Sequence, residues 1–126
     1  MNIKLPKYLL PATKKFIKTV VDELEQKKML SDLDEGCILM LADNYNIYLR
    51  AMEELNKGSL TFVSDRGNIS ASPLLRIAKD SESIYLQIMK EFGLSPLSRN
   101  KLVEDNPDNS ELSPLEQFIN QTKEIR

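Results

Sequence analysis

The stretch SDLDEGCILMLADNYNIYLRAMEELNKG, residues 31–58, decides the reading of the fold. It opens on Ser31 with Asp32, Asp34 and Glu35 behind it. A hydroxyl cap with acids in the next turn marks a helix start, because both satisfy or complement the free N–H groups there. It closes on Lys57-Gly58, a helix stop. The spacing predicts one long helix over Asp32–Asn56 that is apolar on two sides. One row is Ile38, Leu41, Ala42, Tyr45, Leu49 and Met52; a second is Leu33, Cys37, Met40, Ile47 and Ala51. A surface helix of a monomer needs a single stripe. Two rows predict cover on both sides, from the chain's own domain and from a neighbouring subunit.

Working outward toward the N-terminus, Pro11 suits a first helical turn, where its missing N–H costs nothing. A helix is expected over Pro11–Lys28, with Phe16, Ile17, Val20, Val21 and Leu24 on one apolar face and Lys14, Lys15 and Lys18 opposite. Lys27 and Lys28 complement its C-terminal dipole, and Met29-Leu30 forms a hinge. Residues 1–10 read as a basic arm.

Toward the C-terminus, Ser59–Ser72 reads as two short strands around a turn with Arg66-Gly67 at its tip. An isolated hairpin is marginal in water, so it must pack on something. Pro73 starts a third helix to Phe92, with Leu74, Ile77, Ala78, Ile84, Tyr85, Ile88 and Phe92 expected on its core side. Gly93 caps it, and Ser95-Pro96 starts one further helical turn. Val103–Ser113 is polar and acidic and reads as a flexible linker to a short amphipathic segment with Leu115, Phe118 and Ile119. The expected fold is mainly α: a three-helix domain whose second and third helices form a long antiparallel pair, with a β-hairpin between them and a flexible acidic C-terminal tail. The expected domains are the arm (1–10), a helical domain (11–102) and the tail (103–126).

The net charge of the 126 residues is −2, but it is segregated. Residues 1–30 hold seven lysines against three acids, and residues 31–58 hold six acids against two bases. Residues 59–103 hold six bases against four acids, and residues 104–126 hold six acids against two bases. Such asymmetry suits phosphate contact at one place and protein contact at another. The chain has no His, a single Cys and no Gly-rich phosphate loop. That removes the Ser-His triad, most zinc sites and nucleotide cradling, so neither a catalytic residue, a metal nor a cofactor is expected. Cys37 is expected to be a small buried hydrophobe in a reducing compartment. No apolar run suits a signal peptide or a membrane span, so no membrane association is expected.

Several of these segments resemble one family in order and spacing. They are Ala42-Asp-Asn-Tyr45-Asn-Ile-Tyr48, the hairpin with Arg66-Gly67-Asn68, Ser72-Pro73-Leu74-Leu75, and Glu91-Phe92-Gly93-Leu94-Ser95-Pro96-Leu97-Ser98-Arg99. The chain is similar over residues 5–102 to the bacteriophage terminase small subunits typified by Gly-Leu-Thr/Ser-Pro-x-x-Arg after the last long helix, and Gly93–Arg99 is the most specific piece. The tail's Pro-Leu-x-x-Phe-Ile also resembles family C-termini. The resemblance implies a non-catalytic protein of the host cytoplasm. It implies assembly into a homo-oligomeric ring, binding of double-stranded viral DNA, and delivery of that DNA to a large subunit holding the ATPase and nuclease.

Candidate residues follow, each with a plainer reading beside it. Lys14, Lys15 and Lys18 are candidate phosphate contacts, or simply a solvated face. Arg66, Arg76 and Lys79 form a second DNA-binding set, or a solubilising turn. Tyr45, Tyr48, Leu49 and Met52 are read as subunit contacts, or as core packing. Arg99 is read as structural, its fork binding carbonyls at the end of the third helix or a neighbour's carboxylate. Leu115, Phe118 and Ile119 are candidates for docking on the large subunit. Two other roles fit the residues alone: a small helix-turn-helix DNA-binding regulator, or a phage head-assembly adaptor that does not bind DNA. The long helix argues against the regulator, since Arg50 and Lys57 alone do not make a base-reading row.

Overall fold

The computed structural model of the chain describes residues 2–104, and side chains through residue 100. In order they form α1 (Pro11–Gln26), a 3-10 turn (Asp32–Asp34), α2 (Glu35–Lys57), β1 (Thr61–Val63), β2 (Ile69–Ala71), α3 (Pro73–Glu91) and α4 (Pro96–Glu104). The fold is mainly helical with the hairpin between α2 and α3, as the sequence predicts. The chain divides between Ile88 and Met89 into two compact units.

Local chemistry sets the element ends. Ser31 Oγ accepts the Leu33 N–H at 3.3 Å, and the Asp34 carboxylate accepts the Ser31 N–H at 2.9 Å, a reciprocal cap that opens the 3-10 turn into α2. Ser72 Oγ accepts the Leu74 N–H at 3.3 Å at the start of α3, with Pro73 as its first residue. In the hairpin, Thr61 faces Ala71, Phe62 faces Ser70 and Val63 faces Ile69. The Gly67 N–H donates to Ser64 O at 2.8 Å, and Gly67 sits at φ 81, a left-handed conformation that glycine adopts without steric cost.

In the first unit, α1 packs antiparallel on α2: Thr13 meets Asn46 and Phe16 meets Tyr45, while residues 27–34 link the other ends. The buried residues of α1 are Thr13, Ile17, Val20, Val21 and Leu24; those on the matching side of α2 are Ile38, Leu41, Ala42 and Asn46. Each fully buried aliphatic side chain among them stabilises the fold by about 1.5–3 kcal/mol relative to exposure. Helix α3 packs on the later half of α2, where Ala51, Leu55 and Ala78 are buried with Tyr48, Met52 and Leu74 against them. Leu74 lies at Ala51 and Leu55, and Tyr85 lies at Tyr45, so α2 and α3 run antiparallel.

Several sequence expectations need correction. The core face of α3 is centred on Leu74, Ala78, Ser81 and Tyr85, not on Ile77 and Ile84, which are exposed. Ser81 is buried because its hydroxyl is satisfied by its own helix, at the carbonyls of Ile77 (2.9 Å) and Ala78 (3.0 Å); apolar periodicity alone does not register such a position. Cys37 is exposed, because α3 covers the second apolar row of α2 only toward its end. In that row Ala51 is buried, whereas Leu33 (91% exposed), Met40 (61%) and Ile47 (40%) are open. The hairpin, expected to pack on other elements, has every strand residue exposed.

In the second unit, α3 ends at Gly93 (φ 69), whose N–H donates to Lys90 O at 3.0 Å while the Leu94 N–H donates to Met89 O at 2.8 Å. Ser95 then caps α4, its Oγ accepting the Ser98 N–H at 3.1 Å. The Gly-Leu-Ser-Pro run is therefore a stop and a start placed back to back.

Candidate nucleic-acid interface

Lys14, Lys15 and Lys18 stand exposed on α1, Lys15 opposite the buried Leu24 and Lys14 and Lys18 beside Ile17 and Val21. None of the three forms an ion pair among the described residues. The N-terminal arm lies beside them: Asn2, Ile3 and Leu5 line one groove together with Lys14, Ile17, Lys18, Val21 and Asp22. Thus Lys14 and Lys18 edge a depression whose floor is aliphatic, and Asp22, one turn beyond Lys18, is the acid at its far end.

The arm is held at its end nearest α1. Leu9 is buried at 4% exposure. The Leu10 N–H donates to Asn46 Oδ1 at 2.9 Å, and the Tyr8 hydroxyl donates to Asp43 Oδ1 at 2.6 Å. That hydrogen bond to a carboxylate, above all, raises the Tyr8 pKa from its ordinary value. Leu10 is the N-cap residue of α1 yet offers no side-chain oxygen, and Asn46 of α2 supplies the acceptor for its N–H. The same Oδ1 accepts the Thr13 hydroxyl at 2.9 Å. A backbone N–H is donor only, so it fixes which end of the Asn46 amide faces α1. Sequence reading misses Asn46 and Thr13. The available signal was a polar residue inside each apolar stripe.

The second basic set divides. Arg66 is exposed at the hairpin tip. Arg76 and Lys79 come together at a shallow hollow with Ala71, Ser72, Pro73, Leu75 and Asp80. The Arg76 Nε lies 3.9 Å from Asp80 Oδ2, an exposed pair worth about 0–1 kcal/mol that offsets part of the Arg76 charge.

Three half-buried aromatic residues of the first unit cluster together. Phe16 and Tyr45 stack with centroids 4.3 Å apart and planes 22° apart, and Tyr85 lies 5.9 Å from Phe16 and 5.7 Å from Tyr45. Burial, with a smaller contribution from Tyr45, raises the Tyr85 pKa. Tyr48, Leu49 and Met52 are half-buried. Arg99 is exposed on α4; its N–H donates to Ser95 O at 2.8 Å, and its guanidinium has no hydrogen-bond partner among the described residues. Leu115, Phe118 and Ile119 lie outside the described residues. No group of three or more His, Cys, Asp or Glu side chains among the described residues could hold a metal, and no helix there is long and apolar enough to cross a membrane.

What the described residues offer outward is surface: a lysine face bordered by the arm, an arginine-tipped hairpin and an apolar helix face. This is the make-up of a small helical domain without a described metal site. The chain belongs to the phage terminase small-subunit family, for the family model described as "Phage terminase, small subunit" matches residues 13–109. No curated protein and no solved structure matches it.

Proposed function

We propose that the chain is the non-catalytic small subunit of a phage terminase, working in the host cytoplasm as a homo-oligomeric ring. It binds viral duplex DNA and brings it to the large subunit, which carries the ATPase and nuclease during genome packaging. Family membership over residues 13–109 carries this reading.

The α1 lysines support the DNA-binding part. Three exposed cations on one helix, unpaired among the described residues, are available to phosphates, and each phosphate neutralised releases condensed counterions. Repetition around an oligomer lets modest single contacts add up, since every further copy binds at high effective concentration. Leu115, Phe118 and Ile119 are assigned to the large subunit as a short helix laid into a groove. Fluorescence anisotropy of the purified chain with a labelled duplex tests the reading. Binding at low salt that weakens steeply as salt rises is expected. Its absence at low salt contradicts DNA binding and favours an assembly adaptor.

A further inference from the structure

One face of α2, with the 3-10 turn before it, is apolar apart from Asn44 and is covered only over its later half. Leu33, Cys37, Met40, Ile47, Ala51 and Leu55 fall on this face at helical spacing. Helix α3 buries Ala51 and Leu55, whereas Leu33, Cys37, Met40 and Ile47 are exposed. The hairpin presents a second bare apolar face. Directly paired residues share a side of an antiparallel ladder, so Thr61, Val63, Ile69 and Ala71 stand together. Val63 and Ile69 in its centre are 67% and 74% exposed.

Of the α2 face, Ile47, about 15 Å from Lys57 along the helix, lies within backbone reach of Val63 in the same chain, whereas the Leu33–Cys37–Met40 end does not. The hairpin follows the last residue of α2, and Met40 lies about 25 Å and Cys37 about 30 Å up the helix from Lys57 at 1.5 Å per residue. The extended chain from Lys57 to Val63 spans about 20 Å at most.

Charge favours their meeting between chains. Residues 29–49 hold Asp32, Asp34, Glu35 and Asp43 and no base. The hairpin stretch, residues 59–72, holds one base, Arg66, against one acid, Asp65. Two α2 faces brought together would set acid against acid, whereas the hairpin, with no net charge, meets α2 without that repulsion.

We infer that the Val63–Ile69 face of the hairpin docks on the Leu33–Cys37–Met40 face of α2 in a second copy of this chain. The contact is heterologous, one surface against a different one, so each copy keeps a free hairpin and a free α2 face for further copies, and a ring closes if the rotation allows. It rests on the oligomeric reading above and assigns the surfaces.

Cys37, the chain's single cysteine, lies on the α2 face and makes the test direct. The full chain carrying Ile69→Cys is treated with a short bis-maleimide, beside Ser70→Cys on the other hairpin face, Ile69→Cys with Cys37→Ser, and the unaltered chain. All are first weighed by light scattering. The expected result is an oligomer in which Ile69→Cys gives a ladder of bands above the dimer. The ladder should be lost in the Cys37→Ser combination and several-fold weaker in Ser70→Cys. An oligomer without that ladder overturns these surfaces and leaves the oligomeric reading standing. A Cys37-dependent dimer in the unaltered chain shows α2 on α2 and overturns the inference. A monomeric mass overturns both and leaves the bare face to a different partner.

Discussion

Asn46 on α2 accepts a hydrogen bond from the hydroxyl of Thr13 on α1 at 2.9 Å, where Asn46 is 2% and Thr13 0% exposed. With the Leu10 N–H on the same oxygen, it ties the start of α1 and the end of the arm to α2. Asn46→Leu removes the shared acceptor and strands two donors, each costing about 1–3 kcal/mol if left unpaired. Urea unfolding is expected to show a loss of about 2–4 kcal/mol for Asn46→Leu and only about 1 kcal/mol for Thr13→Val, which keeps the bond to Leu10. Equal losses would show that the Leu10 contact carries nothing.

The stacked Phe16–Tyr45 pair is expected to be coupled energetically. Stacked rings contribute about 0.5–1.5 kcal/mol beyond the area they bury. A double-mutant cycle of Phe16→Leu and Tyr45→Leu should return a coupling of about 1 kcal/mol. Strict additivity would show that the stacked contact contributes nothing beyond the area it buries.

How much of this was legible turns on whether one residue type signals one conformation. Helix α1 was legible because Ile17, Val20, Val21 and Leu24 repeat at the helical period and Pro11 marks the start. The stop of α3 was legible because Gly93 sits at the left-handed position. Helix α1 ends with the same hydrogen-bond pattern, Lys28 N–H to Glu25 O and Met29 N–H to Leu24 O at 3.0 Å each, but its left-handed residue is Lys28 at φ 55. Nothing in a lysine announces that conformation, so the helix was read two residues too long. Asn46 and Ser81 were missed for another reason: hydropathy counts the residue, not the partner that satisfies it. The candidate DNA surface was legible as a row of lysines. That the arm lies along it was not, since this depends on Leu9 and Asn46, far apart in sequence.

Alkaline pH should weaken the fold through Tyr85. Its pKa is raised in the folded chain, so the folded state keeps the phenol proton more tightly than the unfolded state. The stabilisation is complete below the ordinary value of 10.0 and is lost as pH rises through the folded value. The unfolding free energy should fall more steeply above pH 10 in the unaltered chain than in Tyr85→Phe, measured by urea titrations at stepped pH. Parallel curves would contradict the assignment.

Replacing Lys14, Lys15 and Lys18 with Gln should weaken duplex binding uniformly across sequences. Each lost phosphate contact lowers the slope of log K against log salt by about 0.9, so the triple variant should lose about 2–3. An unchanged slope would place the DNA surface elsewhere, with the hairpin arginine the first residue to examine.

The central claim is that many copies of this chain act together on DNA, and native mass spectrometry of the full chain with and without a duplex tests it most directly. The account predicts one discrete oligomer at micromolar concentration and a complex of that whole oligomer with the duplex. A chain that remains at 14.4 kDa and leaves the duplex free in low salt would contradict it.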